Sequence, residues 1–251
     1  MFQSLGRAAL GTGFTFAMTV LGAAAVFFCS EEPRPRLLRA VLGFAAGVMT
    51  AASVWSLLIP AVERAEAAGR FPGWLPAAAG MLLGVTFLAA LDALLPRLRR
   101  QAADETDRRN ALLMTAITLH NVPEGMAVGL AFALAGESSL AGAAALAAGI
   151  GLQNIPEGAA VALPLRQRGL SRGRAFLGGA ASGAVEPLFG LLAVLAARGA
   201  AEIMPWLLSF AAGAMLYVVV EELVPQAHSR AGTCGFVAGF LVMMVMDIAL
   251  G

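Results

Sequence analysis

His120-Asn121-Val122-Pro123-Glu124-Gly125 and Gln153-Asn154-Ile155-Pro156-Glu157-Gly158 are two copies of one pattern, each set in an apolar run and followed by small apolar residues. A proline inside such a run lacks an N–H, and its ring crowds the carbonyl one turn earlier, here Leu119 or Leu152. The expectation is a kinked helix with exposed backbone oxygen. A bilayer tolerates that only where the defect lines a cavity or is buried in protein.

The rest of the chain supports a membrane reading. Of 251 residues, 59% are hydrophobic and only 13% charged, against about 25% charged in soluble domains. Mean hydropathy is +0.79. A chain of this size cannot hide so much apolar surface from water, so its solvent must be largely lipid. A net charge of +1 gives no sign of nucleic-acid binding. Cys29 and Cys234 lack metal or redox spacing and read as small apolar residues.

Hydropathy divides the chain into eight spans of about 20 residues, the length a bilayer core requires. They fall near 8–28, 37–61, 74–96, 111–135, 139–164, 175–198, 204–225 and 232–250. No segment is left for a separate soluble domain, so residues 1–251 read as one polytopic membrane domain. Arg7, the apolar run after it and Ala23–Ala25 could also pass for a signal peptide, but the run is long for that and belongs to a repeat.

All 17 basic residues are arginines, and thirteen of them fall in alternate loops. The positive-inside rule then puts both termini outside and those loops in the cytoplasm. A second repeat runs between outer spans. Phe44-Ala45-Ala46-Gly47-Val48-Met49 resembles Phe210-Ala211-Ala212-Gly213-Ala214-Met215, both spans end in a proline (Pro60, Pro225), and Asp92 and Asp247 close spans three and eight. Spans one to three thus match spans six to eight at an odd offset, which inverts the copy, as in many secondary transporters.

Charged groups in hydrocarbon cost several kcal/mol and mark function. The spans hold Asp92, Glu124, Glu157, Glu186, Glu221, Glu222 and Asp247, with His120 as the one basic candidate and no arginine mid-span. Carboxylates gathered without counter-charge either stay protonated or bind a cation. His120 and Asn121 lie one helical turn from Glu124, and Gln153 and Asn154 hold the same relation to Glu157. Glu186, before Pro187, is a third inward carboxylate. Imidazole, amide and carboxylate together suit zinc, and also manganese or ferrous iron, whereas calcium and magnesium prefer oxygen alone.

Met49 and Ser56 face one way in span two and read first as packing residues, with an accessory place on the ion path as the alternative. Glu221, Glu222 and His228 form either an exit site or a solvated helix end.

The tandem HNVPEG and QNIPEG helices, with AVEP in span six and EELVP in span seven, resemble the ZIP family of metal transporters (Zrt/Irt-like proteins), especially its GufA-like bacterial branch. The resemblance implies an all-α membrane fold in a 3+2+3 inverted-repeat arrangement, with helices four and five held between the triplets. It also implies a binuclear site. His120, Glu124, Gln153 and Glu157 would hold one ion; Asn121, Asn154, Glu157 and Glu186 would contribute to the second, with Glu124 shared. Asp247 would mark the entry, and Asp92 with Glu221, Glu222 and His228 the exit. Many members carry His where this chain has Gln153, which leaves room for iron, manganese, cobalt or cadmium beside zinc. The loop Arg97–Asn110 has no histidine, so a metal-sensing role for it is not expected.

The function expected is uptake of a divalent metal ion across a bacterial cytoplasmic membrane by alternating access, with the metal as cargo and no cofactor. The partners are the ion and the lipid, and a homodimer is compatible with the reading. An intramembrane zinc hydrolase is the rival from another class, weakened by the single intramembrane histidine. A metal-binding protein that does not transport is a second rival.

Overall fold

The computed structural model describes residues 2–28, 35–98, 105–135, 140–197 and 201–250. These form eight long helices and, among the described residues, no strand. Helix α1 runs Phe2–Ala23 and resumes over Ala25–Phe28. Helix α2 comprises Pro35–Ala52, a π-helical stretch Ser53–Leu58 and Ile59–Ala68. Helices α3, α4 and α5 are Trp74–Leu98, Glu105–Leu134 and Leu140–Gln167. Helix α6 has two halves, Arg172–Gly183 and Val185–Ala197. Helix α7 comprises Met204–Val218, a π stretch Val219–Leu223 and Val224–Ala227, and α8 is Arg230–Leu250.

Among the described residues, six stretches are long and apolar enough to cross a membrane by length and composition, and none of the six is on α4 or α5. The motif helices carry His120, Glu124, Gln153 and Glu157 in apolar runs, so they need protein around them. On α8, Val237, Leu241, Val245 and Ile248 are all exposed and follow helical spacing down one stripe. Such a stripe would be a liability in water and is an ordinary surface in lipid.

Packing separates the helices into two groups. Helix α2 lies chiefly on α8 and α3 on α7; α1 lies chiefly on α5 and α4 on α6. Exchanging the two repeats swaps each of these pairs for its counterpart, as an inverted two-fold requires. Helices α4 and α5 therefore share a group with α1 and α6, rather than standing between intact triplets. The reason is close approach by small residues, the usual basis of helix packing in membranes. A Cβ at Gly84 would collide with the backbone oxygen of Phe210, and one at Gly239 with the oxygen of Phe44. Phe44 and Phe210 are the opening residues of the repeated FAAG segment. The repeat legible in the sequence is thus physically a matched pair of helix contacts.

Two helix ends differ from expectation. Helix α2 does not stop at Pro60 but continues to Ala68. The π stretch just before it widens the helix where the ring would clash, and Pro60 then sits in the first turn of the next segment, where its missing N–H costs little. The same device precedes Pro225 in α7. Helices α4 and α5, by contrast, run through Pro123 and Pro156 without division. The break near the site falls instead at Ala184, between the halves of α6.

Candidate functional site

The motif residues meet where α4, α5 and α6 come together. The motif glycines set the distance. A Cβ at Gly125 would strike the backbone of Glu186, so α4 can sit directly on α6 at the third carboxylate. Gly158 does the same for α5 against the backbone of α1 at Thr19.

Six of the seven expected metal-site residues are buried together. Asn121 is 1% exposed, Glu157 8%, and Glu124, Gln153, Asn154 and Glu186 are fully enclosed. The side chain of the seventh, His120, lies outside the described residues. Glu124, Glu157 and Glu186 stand close enough to repel one another. The three acids named from the sequence therefore share one interior.

Amides mediate between them. Gln153 donates from Nε2 to Glu124 Oε1 at 2.6 Å, joining the two motif helices. Asn154 donates from Nδ2 to both oxygens of Glu186, at 3.0 Å each, and to the Thr15 carbonyl at 3.3 Å. Asn121 Nδ2 donates at 2.9 Å to the carbonyl of Ser182, on the last turn before the break in α6. Carbonyls at a helix end lack intrahelical partners, and Asn121 supplies one. Among the described residues no three acids, histidines or cysteines converge closely enough to hold an ion by themselves. Amide oxygen is a further donor type on these residues.

That oxygen is available. Asn121 Oδ1, Glu124 Oε2, Gln153 Oε1, Asn154 Oδ1 and Glu157 Oε2 are all buried without a hydrogen-bond partner among the described residues. Orphaned buried polar atoms are rare and costly, about 1–3 kcal/mol each. These five are all oxygens, so the unmet need is for a positive charge or a donor. A half-turn of the Gln153 amide would replace its N–H by its free oxygen without moving the helix.

The remaining expected residues have other surroundings. Ser56, in the π stretch of α2, donates to Asp247 Oδ1 at 2.7 Å, while Asp247 Oδ2 is buried and unpartnered. At the opposite end of the bundle, Tyr217 donates to Asp92 Oδ2 at 3.3 Å, with Glu221 and Glu222 nearby. His228 is exposed at the end of α7, and Met49 is fully buried in the apolar core. Cys234 is a free, exposed thiol, and Cys29 lies outside the described residues, as does much of the Arg97–Asn110 loop. Thr15, Thr19 and Ser182 join the site although no motif announces them. The one signal was Thr12, Thr15 and Thr19 at helical spacing on an apolar span, a buried hydroxyl stripe.

Residues 99–247 match the family described as ZIP Zinc transporter. The chain is 38% identical to Zinc transporter ZIP11 of Homo sapiens, with 99% of this chain and 98% of that relative covered. It is 41% identical to Zinc transporter GufA of Myxococcus xanthus, covering 93% of this chain and 94% of the relative. Identity to Zinc transporter ZIPB of Bordetella bronchiseptica is also 41%, over 98% of this chain and 82% of the relative.

Proposed function

The chain belongs to the ZIP zinc transporter family, and from that premise we propose that it carries a divalent transition-metal ion, zinc first, into the cytoplasm by alternating access. The observation that carries this reading is the set of five unpartnered buried oxygens on Asn121, Glu124, Gln153, Asn154 and Glu157. A buried cluster of acceptors favours a small dication that can replace its water shell with these groups.

In this reading His120, Glu124, Gln153 and Glu157 hold one ion. Asn121, Asn154, Glu157 and Glu186 contribute to a second, with Glu124 shared. Asp247 with Ser56 lies on the entry side, with Met49 as an accessory residue; Asp92, Glu221, Glu222 and His228 lie on the exit side. The arginine asymmetry supports a bacterial cytoplasmic membrane with both termini outside. Amide ligands at Gln153 and Asn154 are harder than imidazole, which supports a selectivity wide enough for iron, manganese, cobalt or cadmium. Protons compete for the same carboxylates, since protonated ones bind metal poorly. A homodimer is part of the proposal, checked by the mass of the detergent-solubilised protein.

The test is purified protein in liposomes loaded with a metal-sensitive dye and offered each of these metals in turn. Time-dependent zinc entry that is lost in Glu157→Ala is the expected result. Metal binding without entry by the wild type would defeat the carrier reading.

A further inference from the structure

Glu186 is the one carboxylate of the three whose oxygens are both held by protein donors. Asn154 reaches both, and Thr19 Oγ1 of α1 reaches Oε1 at 3.0 Å. Thr19 also lies 3.3 Å from the Thr15 carbonyl. A hydroxyl has a single hydrogen, and the nearer, carboxylate acceptor is the stronger claim on it.

The seat of Thr19 is built. Gly158 leaves room for its backbone, and a Cβ at Gly183 would lie 2.8 Å from its Cβ and 3.0 Å from its Oγ1. Two glycines on two different helices thus vacate the space that Thr19 fills, and it is 1% exposed. The seat has a counterpart. Gly125 of the first motif packs on the backbone of Glu186, and Gly158 of the second packs on the backbone of Thr19. The two residues occupy matching places against the two motif helices, one a carboxylate and the other a hydroxyl.

We infer that Thr19 is a positioning residue for cargo binding: its hydroxyl fixes Oε1 of Glu186 and thereby turns Oε2 toward the ion. This rests on the carrier reading above. A carboxylate offers about four lone-pair sites. Thr19 takes one on Oε1, Asn154 spans one on each oxygen, and the Thr15 side chain also lies against the carboxylate. When an ion enters, Asn154 can turn its unpartnered Oδ1 toward it and withdraw its N–H groups. The one alternative acceptor for the Thr19 hydroxyl among the described residues, the Thr15 carbonyl, is neutral and the longer contact, so the bond to Glu186 persists and keeps the carboxylate from rotating about its terminal torsion.

Thr19→Val keeps the branched shape that fills the glycine cradle and removes only the hydroxyl. Thr19→Ser keeps the hydroxyl and removes a methyl. Zinc binding to the purified protein, measured by calorimetry, is expected to weaken about tenfold in Thr19→Val, the loss of one hydrogen bond to a charged group. In liposomes its half-saturating zinc concentration should rise similarly while the maximal rate changes less. Thr19→Ser should stay within about threefold of wild type in both measurements. Where the valine variant does not fold, as judged by its thermal melt, Thr19→Ala takes its place. Equal losses in the valine and serine variants would assign Thr19 to packing alone, and wild-type affinity in Thr19→Val would remove it from the site. Either result with an active wild type overturns this inference only; a wild type that neither binds nor passes zinc overturns the carrier reading itself.

Discussion

The two helix groups come from the same inverted repeat, yet they use it differently. In the group of α2, α3, α7 and α8 the copies still match. Gly84 on Phe210 is mirrored by Gly239 on Phe44, and Asp92 by Asp247. In the group of α1, α4, α5 and α6 the scaffolding glycines match, but the chemistry does not. The motif has His120 in one copy and Gln153 in the other, and the seat of Glu186 is taken by Thr19 in the other half. Symmetry is kept where helices only need to approach and abandoned where a ligand set must be built. A frame made of small-residue contacts tolerates either sign of symmetry, whereas a cation site needs particular donors in particular places.

The sharpest way to break this contrast is to strike each group once. Glu157→Ala removes a shared carboxylate from the cluster and should cut zinc uptake more than about 100-fold, with the protein still folded by thermal melt. Gly84→Val should do the reverse. Its side chain must push α3 away from the Phe210 backbone, at about 1–3 kcal/mol, and folded yield and melting temperature fall while half-saturation by zinc in the surviving protein holds. If Gly84→Val altered zinc affinity as strongly as Glu157→Ala, the division into frame and site would be lost.

Acidity sharpens the same contrast. Metal requires the deprotonated glutamates, so the half-saturating zinc concentration should rise as pH falls. Glu124→Gln together with Glu157→Gln should leave whatever uptake remains much flatter with pH. A smaller effect is expected at the ends. Asp247→Asn, which keeps the Ser56 contact and discards the charge, should slow entry by a few-fold, measured as initial rate at low zinc. Smallest is Glu202→Ala, which breaks an exposed pair with Arg70 between the α2–α3 and α6–α7 connections; stability should change by less than about 1 kcal/mol.

Much of this was legible in the sequence because lipid is a demanding solvent. The all-α membrane fold and the Phe44 and Phe210 repeat follow from what hydrocarbon forbids, and the structure keeps both. The continuation of α2 beyond Pro60 was not legible, because a π-helical widening leaves no mark in residue type. The grouping of α1 with α5 was hidden for a similar reason. It depends on which glycine meets which backbone, and small residues occur throughout the chain. Glu186 announced itself as a charge in an apolar span; Thr19 did not, since a threonine hydroxyl in a membrane helix commonly bonds its own backbone, as Thr12 does to Ala8. Its reach to Glu186 needed the fold.

X-ray absorption at the zinc edge of zinc-loaded protein goes to the heart of the matter, because it reads the atoms around the ion directly. Binding through the orphaned oxygens predicts a first shell of oxygen and nitrogen alone, at about 2.0–2.2 Å, which disappears in Glu124→Ala with Glu157→Ala. A sulfur shell near 2.3 Å, or the same oxygen and nitrogen shell surviving in that double variant, would mean that the ion sits elsewhere.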